Sequence, residues 1–109
     1  MEIKVTGRVI YARLENGSKA YLTYTIRKGK MEINKTYTPP EHRGKGIAAK
    51  LMDKAVEIAQ KEGYKIVPIC SYAVYYFIKN PDKKEVLADE FGEIDLKELF
   101  KRRLAEEKQ

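Results

Sequence analysis

The first third of the chain alternates between apolar and polar positions, a pattern typical of β-strands with one buried face. Apolar residues recur at every second position over residues 8–14 and again over residues 20–26. A third strand is expected over residues 31–38. Because only short turns separate them, the three strands predict an antiparallel meander.

Turn residues mark the ends of these strands. Asn16-Gly17 is a strong hairpin signal because both residues tolerate a positive φ, and residues 27–30 supply a second turn. Pro39 and Pro40 follow the third strand. Neither proline can donate a hydrogen bond to a sheet, so the meander should end there.

The remaining periodicity is mostly helical. Apolar residues three or four positions apart predict a long amphipathic helix over residues 44–62, with Gly63 as its C-terminal cap. A buried strand is expected over residues 64–69 and a short helix over residues 72–79, before Asn80-Pro81. The order of strands, helix, strand and helix predicts an α/β (α+β) fold.

The C-terminal segment, residues 89–109, differs in character from the domain expected over residues 1–88. Asp95 and Glu98 have the spacing of a capping box, and the apolar residues after Asp95 predict an amphipathic helix. Its apolar stripe is too large to leave in water. We expect the tail helix to pack on the domain or on a partner, and a homodimer stays open.

Composition and charge restrict the functional classes. The chain is 43% hydrophobic and 35% charged, and it carries a net charge of +6. Its body is basic, which fits a polyanionic ligand, either a nucleotide cofactor or a nucleic acid. No nucleic-acid-binding motif is present, so that partner is disfavoured. A single histidine and a single cysteine are too few to predict a metal site.

Localisation follows from what the sequence lacks. No apolar run is long enough to span a bilayer, and residues 1–5 do not resemble the core of a signal peptide. The only cysteine, Cys70, has no partner for an internal disulfide. The sequence therefore predicts a cytoplasmic protein that does not contact a membrane.

The strongest chemical signal is a glycine-containing segment at the start of the long helix. The first N–H groups of a helix have no internal partners and lie at the positive end of its dipole. Glycines allow a bulky diphosphate to approach the backbone closely, and the neighbouring basic side chains supply counter-charge. The segment consists of Arg43, Gly44, Lys45, Gly46, Ile47 and Ala48.

Two common diphosphate motifs do not fit this segment. A P-loop needs four residues between its glycines and a following Lys-Ser/Thr pair. A dinucleotide-binding fingerprint needs a third glycine directly after a strand, within a doubly wound sheet. Neither feature is present. Taken alone, the two glycines are equally compatible with simple packing at a helix start.

The same segment resembles the Q/R-x-x-G-x-G/A signature of the GNAT superfamily of N-acetyltransferases. More narrowly, residues 7–88 resemble the small single-domain GNAT-like family that contains N-acetyltransferase domain-containing protein 1. Three further motifs carry this resemblance: Thr38-Pro39-Pro40, the run Lys-Ile-Val-Pro-Ile-Cys-Ser-Tyr at residues 65–72, and Asn80-Pro81. The tail lies outside the resemblance.

The resemblance implies a fold and a ligand. It implies a mixed, mostly antiparallel sheet in which a parallel strand pair splays apart around the pantetheine arm of acetyl-coenzyme A (acetyl-CoA). Thr36, Tyr37 and Thr38 would offer backbone groups to pantetheine, and residues 43–48 would hold the pyrophosphate. The implied reaction is acetyl transfer to an amine on a small molecule or protein. The alternative is an acyl-CoA-binding module with little or no transferase activity.

The resemblance also implies candidate catalytic residues. Cys70 would lie near the thioester and could carry the acyl group if its pKa were lowered; otherwise it is a small buried core residue. Tyr76 lies in the helix that often supplies a tyrosine acid to the departing thiolate, and Tyr72 and Tyr75 compete for that role.

The general base is harder to assign. Family members often read His-Thr-Glu-Val before the prolines, whereas this chain reads Lys35-Thr36-Tyr37-Thr38. A histidine or glutamate base is therefore absent from this strand. Lys35 could serve only if burial depressed its pKa. His42, the sole histidine, is expected in a surface loop.

Overall fold

The structure, a computed structural model, describes residues 1–108; Gln109, the last residue of the predicted tail segment, lies outside the described residues. These 108 residues form one five-stranded sheet, three α-helices and four short 3₁₀ segments. The strands are β1 (Ile3–Thr6), β2 (Val9–Arg13), β3 (Lys19–Arg27), β4 (Lys30–Tyr37) and β5 (Lys65–Pro68). The α-helices are α1 (Ile47–Glu62), α2 (Ser71–Lys79) and α3 (Leu96–Glu107). The 3₁₀ segments are Glu15–Gly17, Pro40–His42, Pro81–Val86 and Asp89–Phe91.

The sheet has the order β1-β2-β3-β4-β5, antiparallel except for the parallel pair β4 and β5. This arrangement confirms the predicted α/β (α+β) class and the mostly antiparallel sheet. Strand β1 was not predicted. It is a four-residue edge strand in which Ile3 packs against the core while Val5 is 42% exposed, so it leaves too short a pattern to detect.

The hydrophobic core lies between the sheet and the apolar face of α1. Side chains at alternate positions of β2, β3 and β4 point into it, as the period of two predicts. Burial of these groups supplies the main driving force for folding. The fully buried hydrophobic members are Ile10, Ala12, Ala20, Leu22, Met31, Ile33 and Ile66 from the sheet, Leu51, Met52, Ala55 and Ala59 from α1, and Ala73, Val74 and Phe77 from α2.

The parallel pair separates part-way along β4. Pairing between β4 and β5 ends at Ile33 and Pro68, whereas β4 continues beside β3 to Tyr37. Asn34 is an extra residue in β4 at this point, since Tyr24 faces Ile33 and the preceding Thr23 faces Lys35. Such a bulge bends a strand and increases its twist. The end of β4 therefore leaves β5, and a gap opens between them.

The tail helix α3 packs on α2. Leu96 and Leu99 are buried, and the Phe100 ring lies 5.6 Å from that of Tyr75. The Asp95 carboxylate accepts hydrogen bonds from the N–H groups of Lys97 and Glu98, as the predicted cap requires. Within residues 1–108, no helix is long and apolar enough to cross a membrane.

Replacement of Asp95 by alanine should lower the free energy of unfolding by about 1 kcal/mol, because two N–H groups at the start of α3 lose their acceptor. Urea denaturation followed by circular dichroism measures this change. Glu93→Ala, which removes a nearby carboxylate outside the cap, is the matched control. Equal stability of the two variants would show that the cap does not hold α3 in place.

Candidate functional site

A cleft of about 730 Å³ lies where three elements meet: the end of β4, the start of α1 and the start of α2. It exists because β4 and β5 separate after Ile33. The cleft contains eight of the nine residues that sequence reasoning proposed for cofactor binding, and α2 and α3 add four more. It is lined by Thr36, Tyr37, Thr38, His42, Arg43, Gly44, Gly46, Ile47, Ala48, Ser71, Tyr72, Tyr75 and Glu107.

The glycines at one end of the cleft are required by backbone conformation. Gly44 has a φ of 83° and Gly46 a φ of 78°, in the left-handed region that other residues adopt at a cost. A Cβ atom at either position would meet nothing within 4 Å, so steric crowding is not the reason. Gly46 is the N-cap of α1 and has no side chain to cap the helix. The first N–H groups of α1 are thus available to an anion in the cleft.

Arg43 ties this loop to β4. Its Nε atom donates a 2.8 Å hydrogen bond to the Thr38 carbonyl oxygen, and its guanidinium lies 6.0 Å from the Tyr37 ring centroid. The guanidinium thus stays beside the cleft as a positive charge. Lys45 does not line the cleft; it lines a neighbouring cavity with Leu14.

His42 lines the cleft next to Arg43. It is half-buried, and its Nε2 atom has no hydrogen-bond partner within residues 1–108 although that atom is buried. Buried polar atoms normally have a partner. A phosphate oxygen in the cleft would provide one.

Cys70 lies just before α2 and is only 6% exposed. It lines a second cavity, of about 400 Å³, next to the first. Burial raises the pKa of the Cys70 thiol; hydrogen bonds with the Ala73 backbone and the Thr36 side chain oppose the rise, and the charge of Glu107 adds to it. Burial therefore disfavours the thiolate form that an acyl carrier would need.

The Tyr76 hydroxyl is directed to a different part of the molecule. It donates a 2.7 Å hydrogen bond to Asp53 Oδ1 on α1, and the ring packs edge-on against Phe77. Burial, together with the hydrogen bond to Asp53, strongly raises the pKa of Tyr76. The Tyr76 hydroxyl thus lies against Asp53, whereas Tyr72 and Tyr75, its two competitors for the role of the acid, line the cleft.

Glu107, near the end of α3, is a site residue that sequence reasoning missed. Its carboxylate accepts a 2.8 Å hydrogen bond from the Ser71 backbone N–H and a 2.6 Å bond from the Ser71 hydroxyl. A carboxylate at the first turn of a helix is favourable because the dipole there is positive. The contact joins residues 36 positions apart, so no local pattern could reveal it.

The arrangement has two chemically different ends. The glycine loop, Arg43 and His42 form an end suited to phosphates. The other end, where β4 and β5 separate, is lined by hydroxyl groups and the carboxylate of Glu107, and the neighbouring smaller cavity adds Cys70. An elongated anionic molecule could place its phosphates at the first end and its reactive group at the second.

Comparisons with known proteins agree with this geometry. Residues 9–86 match the family described as GCN5-related N-acetyl-transferase. The structure is also similar to the NMR solution structure of a GCN5-like protein from Staphylococcus aureus, named as a candidate N-acetyltransferase, with a TM-score of 0.62 and 27% sequence identity. That match covers 80% of this chain and 87% of the other. With most of its length matched by this family, the chain belongs to the GCN5-related N-acetyltransferases.

Proposed function

We propose that this protein is an acyl-CoA-dependent N-acetyltransferase that transfers an acetyl group from acetyl-CoA to an amine. The observation that carries the proposal is the single cleft that runs from the uncapped start of α1 to the gap between β4 and β5. The family uses acetyl-CoA in general, and its members are acetyltransferases.

The residues present fit coenzyme A. The N–H groups at the start of α1 would hold the pyrophosphate, with Arg43 as counter-charge and His42 Nε2 as a further hydrogen-bonding group. Beyond Ile33, β4 has no β5 residue beside it. Residues 36–38 could therefore give their backbone groups to the pantetheine arm, in place of a missing strand.

Bound acetyl-CoA supplies an acyl group activated as a thioester. The protein must then orient the amine and provide a proton to the departing sulfur. We assign the second task to Tyr72, which lines both cavities. Burial raises the pKa of Tyr72, and the neighbouring Tyr75 and Asp53 add to the rise, so its hydroxyl stays protonated and able to donate.

Cys70 fits direct transfer better than a covalent acyl intermediate. A thiol held protonated by burial is a poor nucleophile, because the thiolate is the reactive form. We therefore propose that Cys70 shapes the cavity and that the amine attacks the thioester directly. We also propose that residues 1–88 form the acetyltransferase domain and that residues 89–109 form a separate C-terminal segment.

A binding module without turnover is the second candidate. It is favoured by the end of β4, where residues 34–38 offer no histidine and no carboxylate as a general base. In that case the cleft would hold acyl-CoA and release it unchanged.

Gly46→Glu should weaken acetyl-CoA binding at least 100-fold, because it places a negative charge where the pyrophosphate would lie. Gly63→Glu is the matched control: Gly63 caps the other end of α1 with nearly the same φ, 77° against 78°. Both variants should lose about 1–2 kcal/mol of stability from backbone strain. Isothermal titration calorimetry measures the affinities. If the two variants bind acetyl-CoA equally well, the phosphates bind elsewhere.

Cys70→Ala should keep at least about a tenth of the turnover, and no acetylated protein should accumulate when wild type is mixed with acetyl-CoA alone. Intact-mass spectrometry detects the acetyl group. Because burial raises the thiol pKa, alkylation of Cys70 should accelerate at a higher pH than alkylation of a free cysteine. An acetyl-cysteine that forms as fast as the product would contradict direct transfer.

Tyr72→Phe should lower kcat about 10²-fold or more while the affinity for acetyl-CoA changes little, since a general acid contributes about 10²–10⁴-fold. Tyr76→Phe should do the opposite: turnover stays, and the free energy of unfolding falls by about 1 kcal/mol because the hydrogen bond to Asp53 is lost. Steady-state kinetics and urea denaturation provide the two readouts. A loss of kcat that is larger in Tyr76→Phe than in Tyr72→Phe would show that Tyr76 is the general acid.

A further inference from the structure

We propose that Glu107 binds the ammonium group of the acceptor amine, so that the C-terminal helix α3 completes the acceptor site of this enzyme. The inference rests on the proposed N-acetyltransferase function. It adds a residue that lies outside the family match, which ends at residue 86.

The position of Glu107 is the first argument. The larger cleft and the smaller cavity share Thr36, Ser71, Tyr72 and Glu107. These residues stand where β4 and β5 have separated, at the far end of the larger cleft from the glycine loop. With acetyl-CoA along the larger cleft, the thioester would reach the shared residues. The smaller cavity is then the space left for the acceptor.

Charge is the second argument. Among residues 1–108, Glu107 is the only one with a carboxylate that lines either cavity. The smaller cavity otherwise carries one cationic side chain, Lys35, whose Nζ lies 5.8 Å from the Tyr21 ring centroid. An amine is an ammonium ion at neutral pH, so Lys35 repels it and Glu107 attracts it. The two charges together orient the acceptor nitrogen toward the shared residues.

The fixed orientation of the carboxylate is the third argument. Its two oxygens are held by the N–H and the hydroxyl of Ser71, which is 8% exposed. A carboxylate has about four lone-pair positions, so acceptor capacity remains for an ammonium N–H. Because α3 is packed on α2 through Phe100 and Tyr75, the carboxylate is already in place before the amine arrives.

The reaction balances with these groups. The ammonium held by Glu107 gives one proton to water. The freed lone pair forms the C–N bond at the thioester carbonyl carbon, and the C–S bond breaks. Tyr72 gives its proton to the departing sulfur and regains one from the nitrogen. The third proton stays on the amide, and the products are the acetylated amine and the free thiol of coenzyme A.

The test uses the full chain with Glu107→Gln, which keeps the size of the side chain and removes its charge. The control is Glu106→Gln, on the same helix, where the carboxylate is 64% exposed and pairs with Arg103 at 3.5 Å. The probes are spermidine, tyramine and a lysine-containing peptide. Readouts are the KM for the best probe, the affinity for acetyl-CoA, and the NMR shift of the Ser71 amide on amine addition.

Glu107→Gln should raise the KM for the amine at least tenfold, abolish the amine-induced shift at Ser71, and leave acetyl-CoA affinity within about twofold. Glu106→Gln should match wild type. Ser71→Ala tests whether Glu107 acts through its charge or through its hydrogen bonds to α2. This variant removes the hydrogen bond from the Ser71 hydroxyl and keeps the carboxylate of Glu107. Its effect on KM should be at most about threefold; an effect equal to that of Glu107→Gln would make Glu107 a structural tether and overturn the proposal.

The remaining outcomes distinguish the two proposals. Turnover with an unchanged KM in Glu107→Gln, or a wild type in which no probe shifts the Ser71 amide, overturns the acceptor site and leaves transferase activity to be judged separately. Amine binding that depends on Glu107, in a wild type without turnover, supports the amine site and contradicts the transferase proposal.

Discussion

The separation of β4 from β5 after Ile33 is the constraint on which the rest of the site depends. A parallel pair that continued to Tyr37 would satisfy the backbone groups of both strands and leave no gap between them. The extra residue at Asn34 instead bends β4 away, so its last residues pair with β3 only. The exposed backbone edge and the cleft beside it thus follow from two features, the bulge at Asn34 and the end of β5 at Pro68.

The first N–H groups of the two helices that border this cleft differ in whether a carboxylate already binds them. The start of α1 has no side-chain cap, and its positive end is open to an anion. The start of α2 is already neutralised by Glu107 through Ser71. One cleft therefore has an end with free helix N–H groups and an end that carries a carboxylate. We propose that the acyl donor binds at the first end and the cationic acceptor at the second, so that acceptor binding depends on the tail helix.

The sequence predicted those parts of the molecule that depend on local periodicity. The strands over residues 8–38, the long helix and the tail helix all follow from spacing of apolar residues, and the glycine loop follows from its position before α1. The local sequence pattern could not predict which neighbouring element a polar side chain of a helix would contact. Tyr76 and Tyr72 are one helical turn apart, yet Asp53 on α1 holds the first while the second lines the cleft.

Contacts between distant segments were equally inaccessible to sequence reasoning. Glu107 resembles any other exposed glutamate of a charged tail until the packing of α3 on α2 brings it to Ser71. The pKa of the Cys70 thiol is a second case, since the start of a helix would lower it and burial in the surrounding protein raises it. Tertiary structure decided both cases, and local pattern carried no information about them.

The most direct test of the account is an NMR titration of the full chain with acetyl-CoA, followed through its backbone amides. If the cleft holds the donor, saturable shifts should appear together in the glycine loop at residues 44–48 and along the unpaired end of β4 at residues 36–38. Shifts confined to another surface, such as the cavity between Asp53 and Tyr76, would contradict it.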